Sequence, residues 1–556
     1  MIFSTKKSIR TDNFNLKGLN AAASRRHVGF VLWQKLMLSL IAGLVLAFSS
    51  PGFDQWWLAW FMVAPLLVLL TKCQGSRQSI LCGLFFGMGY HLLSLRFYAG
   101  THIHFNEQSQ FFLLIWFGQA LLLSLPTMAF AWMLNSLPLR PGYIPYFQRP
   151  YFPYLVSVPL LWIFLHRGLA VAHPLNLMWQ LSPLPPIAID ALSYSQYSQL
   201  TIIQLASWSG SLGVEFLLLL VNAAVASFLV ELIQVQDRPV ERVDAISPRL
   251  GAVVDLSIVA ALVGLVYFLG ITKIRSTNFY AGDVIVNGLV GKKYFDNESN
   301  QPKIPLGIFR GDILAPKADL YFPRLKELAG SFEIIAVSES KELVSPSRCY
   351  GALDLLKKIV HQNHNAAITS FVLQRGEDNY RQDFVCMPKD NFQAKRYLLC
   401  TNDYLPTGLL PPSLKEWFFL ADENNPLSST MAKISWGNIA ILGGSEIANS
   451  HVVAKQIRRG ASLIICESNI DWTADKCLSK QLLAAAVFRA VENNRYVILS
   501  AGDAVVAIIE PSGFIRSLFI RSPGSNWSDY PEKSGIIFST VQFLWTKTPF
   551  TKMWWL

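Results

Sequence analysis

Seven apolar stretches precede residue 272, near 31–49, 56–71, 78–98, 110–134, 154–171, 209–233 and 251–271. Each approaches the roughly 20 residues that a helix needs to cross the hydrocarbon core of a bilayer. Lipid offers no hydrogen-bond partner to a backbone, so repeated runs of this kind predict a bundle of membrane-spanning helices. Charge is scarce to match. Only 15% of the 556 residues are charged, where a soluble chain would carry about 25%. Ser50-Pro51-Gly52 separates the first stretch from the second. The second is short and carries Trp56, Trp57 and Trp60, a composition that suits an anchor at the membrane interface.

The loops give a direction. Lys6, Lys7, Arg10, Lys17, Arg25 and Arg26 lie in the N-terminal tail, Lys72 and Arg77 in the second loop, Arg140 and Arg149 in the fourth, and Arg238, Arg242 and Arg249 in the sixth. The first, third and fifth loops (51–55, 99–109 and 172–208) have no Lys or Arg. This alternation places the N-terminus in the cytoplasm, and an odd number of spans then places everything after residue 272 on the far side. Arg96 and Arg167 sit near outer span ends, within snorkelling reach of the interface. The fifth loop is aromatic and Pro-rich, with Asp190 its one acidic residue, and reads either as a surface lying along the outer membrane face or as a packed re-entrant connection.

The net charge of +11 is spent on these topological signals, and no dense basic patch with interleaved aromatics points to nucleic acid. Cys73, Cys82, Cys349, Cys386, Cys400, Cys466 and Cys477 include no C-x-x-C pair, and no His cluster has zinc spacing, so neither a disulfide framework nor a metal site is expected. The first thirty residues are basic and polar, without the short apolar core of a cleaved signal peptide.

After residue 280 the composition becomes that of a globular domain. Candidate strands are Asp283–Leu289, Ile334–Ser338, Ala367–Val372, Asp383–Met387, Arg396–Cys400, Asn438–Leu442, Leu463–Cys466, Tyr496–Ser500 and Val505–Ile509. Candidate helices are 351–363, 447–459 and 478–494, with Gly460 and Asn493-Asn494 as stops. Strands alternating with helices argue α/β layering. The chain divides into a basic tail (1–30), a transmembrane bundle (31–271), an α/β domain (280–545) and an aromatic tail (546–556) ending Trp554-Trp555-Leu556.

Several stretches carry a resemblance to a known family. They are Leu-Ala-Phe-Ser-Ser-Pro-Gly-Phe (46–53), Pro159-Leu160-Leu161-Trp162, Gln204-Leu205-Ala206-Ser207 with Gly210, Gly213 and Asn222-Ala223, and Ser468-Asn469-Ile470-Asp471-Trp472. The most specific is Phe488-Arg489-Ala490-Val491-Glu492-Asn493-Asn494-Arg495, followed by Pro511-Ser512-Gly513. Together they resemble apolipoprotein N-acyltransferase, the membrane branch of the nitrilase (carbon-nitrogen hydrolase) superfamily. The resemblance implies about seven transmembrane helices followed by a nitrilase-like α-β-β-α sandwich on the periplasmic side of a bacterial inner membrane. It implies a ping-pong transfer of an acyl chain from a membrane phospholipid to the N-terminal amine of a diacylglyceryl-modified lipoprotein, with no metal or soluble cofactor. It also implies an eighth span, which this sequence lacks; the expectation is a domain tethered at one end, with its aromatic tip at the interface.

The family's site is built from Glu, Lys and Cys. A thiolate attacks the acyl carbonyl, a carboxylate takes and returns protons, and an ammonium stabilises the oxyanion. By resemblance the Glu position falls on Glu339, within Val337-Ser338-Glu339, and the Lys position on Lys395, with Asp403 where the family has a second glutamate. The family's Ile-Cys-Tyr-Glu becomes Leu442-Gly443-Gly444-Ser445-Glu446 here, so the nucleophile position is Gly444. Glycine forms no thioester. Ser445 is adjacent, but its side chain would point away from that of residue 444 on an extended strand. Cys466 ends the next strand, where a buried thiol is usually packing. Two functions remain open: an N-acyltransferase working without the family's thiol, or a non-catalytic relative that binds lipid or lipoprotein.

Overall fold

The structure is a computed structural model that describes residues 31–98, 109–137, 154–168, 191–235, 248–276, 304–309, 326, 331–332, 334–337, 346–363, 366–374, 380–387, 391–394, 431–468, 476–501, 504–520 and 536–553. The expected strands Asp283–Leu289 and Arg396–Cys400 lie outside these residues.

Helices appear at every apolar stretch, with different lengths from those expected. They are α1 (Leu32–Ala47), a 3-10 turn (Trp56–Trp60) leading into α2 (Ala64–Thr71), α3 (Ser76–Ser94), α4 (Ser109–Leu123), α5 (Leu125–Ser136), α6 (Tyr154–Ile163), α7 (Ala206–Val235) and α8 (Pro248–Ser276). Among the described residues three helical segments are long and apolar enough to cross a membrane: Trp116–Ser136, Ala206–Ile233 and Ala252–Arg275. The stretches at 31–49, 56–71 and 154–171 give shorter apolar helices, so a count of seven spans does not follow from helix length. Pro159 lies inside α6, which ends in a π turn at Phe164–Gly168; a proline deprives the ladder of one hydrogen bond.

Small residues let these helices touch. A Cβ at Gly43 would fall 2.0 Å from the Phe86 carbonyl oxygen, and one at Gly89 would fall 2.4 Å from that of Leu40, so α1 and α3 meet backbone to backbone. Trp56 and Trp57 remain exposed as an interface anchor requires, whereas Trp60 is buried and donates from Nε1 to Gln196 at 3.1 Å. Lys35, near the start of α1, is also buried; its Nζ donates to the Lys72 carbonyl at 2.6 Å and to Gln78 at 3.0 Å.

The second half holds two six-stranded sheets of matching pattern. One runs β12-β1-β2-β3-β4-β5 and comprises β1 (Ile304–Phe309), β2 (Ile334–Val337), β3 (Ala366–Gln374), β4 (Tyr380–Met387), β5 (Asn391–Ala394) and β12 (Ile536–Val541). The other runs β11-β10-β9-β8-β7-β6 and comprises β6 (Ala432–Ile434), β7 (Gly437–Gly443), β8 (Ala461–Glu467), β9 (Val497–Ala501), β10 (Val505–Ile509) and β11 (Ile515–Ile520). In each, three central parallel strands are flanked by antiparallel ones. Helix α9 (Pro346–Asn363) connects β2 to β3, α10 (Ser450–Arg458) connects β7 to β8, and α11 (Lys476–Asn493) connects β8 to β9.

Alternation along the strands assigns their faces. Ile439, Ile441, Leu463, Ile465, Ile498, Val506 and Ile508 join Leu306, Ile334, Ala336 and Ile368 in one core between the sheets. Their neighbours Ala440, Leu442, Ile464, Cys466, Val497 and Leu499 belong to a second core shared with α11 and with the helical bundle. The second sheet therefore has no solvent face, and every residue of β8, β9 and β10 is buried. This is the burial expected of strands in a sheet covered on both faces.

Of the two readings of the fifth loop, the described part (191–205) takes the packed one, with a buried 3-10 turn at Leu192–Gln196. One expectation changes. The chain is also attached at a second point near its end. A short helix, α12 (Pro549–Met553), lies against α7, where Phe550 packs on Gly210. Thr548 donates from Oγ1 to the Glu492 carbonyl. Residues 554–556, where an aromatic tip was expected, lie outside the described residues.

Candidate functional site

Strands β7 and β8 run parallel with Gly443 opposite Glu467, so Gly444 and Ser468 are the first residues past the ends of adjacent central strands. Ligands in open α/β sheets bind at such carboxyl ends. Beyond Gly443 the chain turns into a 3-10 helix, Gly444–Ala448, whose opening is closed by Glu446: its carboxylate accepts the Gly443 N–H at 2.8 Å. The turn corrects the extended backbone on which Ser445 was expected to face away from residue 444. The side chain of Ser445 is not among those described.

A Cβ placed on Gly444 would lie 2.5 Å from Ser468 Oγ and 3.3 Å from Ser468 Cβ. Ser468 is 5% exposed, and its N–H donates to the Ser500 carbonyl at 3.0 Å, which extends the β8–β9 ladder by one residue. The Cys466 thiol is fully buried and points its S–H to the Gly444 carbonyl oxygen at 3.7 Å. Glu339, Lys395 and Asp403 lie outside the described residues. The described part of the expected site is thus the 443–446 turn with Cys466 beneath it. Ser468, the first residue of the Ser468–Trp472 segment, is the side chain that adjoins position 444. The signal that finds it is strand register, which no linear spacing contains.

The turn sits on the helical bundle. Tyr194, from the packed half of the fifth loop, donates its hydroxyl to the Ala448 carbonyl at 3.4 Å. Arg489 of α11 donates to the same carbonyl at 3.4 Å, to Tyr194 Oη at 3.4 Å and to Glu492 Oε1 at 3.0 Å. Glu492 Oε1 also accepts the Ser211 N–H at 2.8 Å, just past the kink at Gly210 in α7. Both members of the Arg489–Glu492 pair have fully buried side chains. Burial pushes the Glu492 carboxyl up to about 7, against the downward pull of Arg489 and of the Ser211 amide. Desolvation outweighs one ion pair here, as expected where no water solvates the charge. The neighbouring Arg495 is lowered to about 10, also by burial. At the other end of α11, Cys477 directs its thiol to the Pro51 and Ser94 carbonyls at 3.5 and 3.3 Å, and Lys480 pairs with Asp54.

Within the bundle, a cavity is lined by His91, Thr127, Trp162, His166 and Glu215 among apolar neighbours. His166 stacks on Trp162 at 4.0 Å and lies 3.1 Å from Thr127 Oγ1, while Trp162 donates to Glu215 at 3.3 Å. Polar groups in apolar helices that satisfy one another in this way are costly to keep and mark a site of interest.

These features define a class: a helical bundle carrying an α/β domain of two sheets, with a strand-end turn seated on the bundle. Residues 42–224 match the Apolipoprotein N-acyltransferase N-terminal domain. Across 510 residues the chain is 23% identical to the Apolipoprotein N-acyltransferase of Geobacter metallireducens, covering 87% of this chain and 86% of that protein. Among solved structures it is similar to an amidase from Nesterenkonia sp. AN1, of the nitrilase superfamily (TM-score 0.33, 14% identity, 46% of this chain and 95% of that one). It is also similar to a carbon-nitrogen hydrolase from Helicobacter pylori G27 (TM-score 0.33, 12% identity, 44% and 90%). The chain is thus similar to apolipoprotein N-acyltransferases, in its first half by the family model and over most of its length by one relative.

Proposed function

We propose that the protein is an apolipoprotein N-acyltransferase-like membrane protein that moves an acyl chain from a phospholipid to the N-terminal amine of a diacylglyceryl-modified lipoprotein. The observation that carries this reading is the seat of the strand-end turn: Gly444–Ala448 is held against the bundle through Tyr194 and Arg489, beside apolar helices that would lie in lipid. An enzyme whose two substrates are both membrane-anchored needs its reacting atoms at that height. The bundle would span a bacterial inner membrane about seven times with its N-terminus in the cytoplasm, following the loop charges. The α/β domain would then stand on the periplasmic side. Glu339, Lys395 and Asp403 would supply base, oxyanion partner and second carboxylate by the family's pattern, with Glu446 shaping the turn.

A second reading is favoured by Gly444, which has no side chain to carry an acyl group: a non-catalytic relative that binds lipid or lipoprotein in the retained site. One experiment separates them. Full-length protein in phospholipid nanodiscs is given a synthetic lipopeptide with an N-terminal diacylglyceryl cysteine, and the peptide is read by mass spectrometry. A mass gain of one acyl chain on the α-amine supports the enzyme. No gain with the wild-type chain, but a covalent acyl adduct on Gly444→Cys, supports the binder.

A further inference from the structure

We infer that Ser468 is the acyl-carrying nucleophile of this chain, in place of the side chain that Gly444 lacks. The inference rests on the acyl-transfer reading above and names the residue that performs it.

Three observations converge. Register places Ser468 beside Gly444, each one residue past the end of its strand, at the edge of the sheet where the turn begins. The distance of 2.5 Å from Ser468 Oγ to a Cβ built on Gly444 is well inside van der Waals contact, so the hydroxyl occupies the volume into which a side chain at 444 would project. The strand alternation that turns Ile464 and Cys466 toward the core shared with α11 and the bundle continues to residue 468. The Ser468 hydroxyl is therefore on the same side as the seat of the turn.

Its two competitors are placed less well. Cys466 is fully buried one pleat deeper, with its S–H directed at the Gly444 carbonyl. Ser445 lies within the 3-10 turn itself, one residue beyond the position that the strand ends bring together.

The chemistry balances without a further reagent. Ser468 Oγ attacks the ester carbonyl of a phospholipid; an Oγ–C bond forms, the carbonyl–glyceryl oxygen bond breaks, and the serine proton ends on the leaving lysophospholipid hydroxyl. An amine then attacks the acyl-serine, an N–C bond forms, the Oγ–C bond breaks, and one amine proton returns to Oγ. The intermediate is an oxygen ester, so neutral hydroxylamine leaves it intact, whereas it cleaves a thioester.

The test uses full-length protein in nanodiscs with a hexadecyl fluorophosphonate, which phosphonylates nucleophilic serines with loss of fluoride. Digestion and mass spectrometry then locate the label. The expected result is phosphonylation of Ser468 in the wild-type chain and in Ser445→Ala, with none in Ser468→Ala. Ser468→Cys given phospholipid should instead carry an acyl adduct that neutral hydroxylamine removes. A label confined to Ser445, or none on Ser468 in the wild-type chain, overturns the inference, and neither result depends on how the variants fold. Lipopeptide acylation that persists at the wild-type rate in Ser468→Ala overturns it while leaving the acyl-transfer reading standing. Labelling of Ser468 without any lipopeptide acylation supports the nucleophile and overturns the choice of acceptor.

Discussion

Helices α9 and α11 are the same length, each joins two parallel strands, and each packs on a sheet, yet they face different worlds. In α9, Leu353, Leu356, Ile359 and Val360 are buried while Asp354, Leu355, Lys358 and His361 are exposed, the one-sided stripe of a helix that covers a sheet and meets solvent. In α11, Cys477, Gln481, Leu482, Phe488, Arg489, Glu492 and Asn493 are all buried, because the sheet lies on one side and the bundle on the other. The buried polar residues of α11 are therefore not a solvated face. They hold the bundle: Gln481 donates to the Ser94 carbonyl at 2.9 Å, Arg489 reaches Tyr194, and Glu492 accepts from Ser211. The contrast teaches that in this molecule polarity on a helix marks a contact between its two halves as well as an exposed surface.

The largest effect is expected where that contact is charged. Arg489→Met leaves Glu492 buried without its cation and should cost about 3–5 kcal/mol at pH 8, where the carboxyl is ionised in the wild-type chain, read as a lowered unfolding midpoint in detergent. Lys358→Met on α9 should stay within about 0.5 kcal/mol. Equal effects at the two positions would break the comparison.

The second effect depends on pH. An ordinary Glu has a value of 4.5, and burial raises that of Glu492 to about 7 in the folded chain. Below 4.5 both folded and unfolded states hold the proton, so there is no penalty. Between 4.5 and 7 the unfolded chain releases it first, so stability falls as pH rises and levels off above 7. The melting difference between Glu492→Gln and the wild-type chain should therefore grow from pH 5 to pH 8. A constant difference would mean that Glu492 is already ionised at the lower pH.

A smaller loss follows from the kink. Gly210 has φ +68°, and a Cβ there would lie 2.6 Å from the Phe550 ring. Gly210→Ala should cost about 1–3 kcal/mol, with Phe550→Ala restoring part of it as the ring's volume is removed. A smaller effect again belongs to Lys480, whose pair with Asp54 is partly open to solvent. Lys480→Met should change stability by about 0–1 kcal/mol.

Much of this fold is legible in the sequence. The apolar stretches became helices, and the runs at 334, 367, 383, 438, 463, 496 and 505 became strands within a residue or two at most ends. Gly460 and Asn494, read as helix stops, have φ +108° and +52°. The strands that escaped reading have physical reasons. Strand β1 carries Pro305 and Gly307, which weaken a strand signal. Strand β6 has three residues, and β11 is a half-exposed edge with Arg516 in it. Those strands are defined by pairing with a neighbour and not by their own pattern. The same holds at the site. That position 444 ends a strand and lacks a side chain is plain from Leu442-Gly443-Gly444-Ser445-Glu446, but its closeness to Ser468 comes from the register of β7 on β8. The packing of α11 was hidden for a related reason, since periodicity describes one helix face and α11 has two buried ones.

The docking of α11 on the bundle can be tested by a covalent bond. A Cβ at Gly52, in the turn after α1, would lie 3.4 Å from the Cβ of Cys477 at the start of α11, close to the separation a disulfide requires; φ is +115° there, which strains any side chain, so the variant's unfolding midpoint is read beside the crosslink. Gly52→Cys in the full-length protein, oxidised in membranes and digested, should yield a peptide pair joined through residues 52 and 477. Recovery of both cysteines as separately alkylated thiols, in protein whose other contacts remain intact, would contradict a domain seated on the bundle through α11.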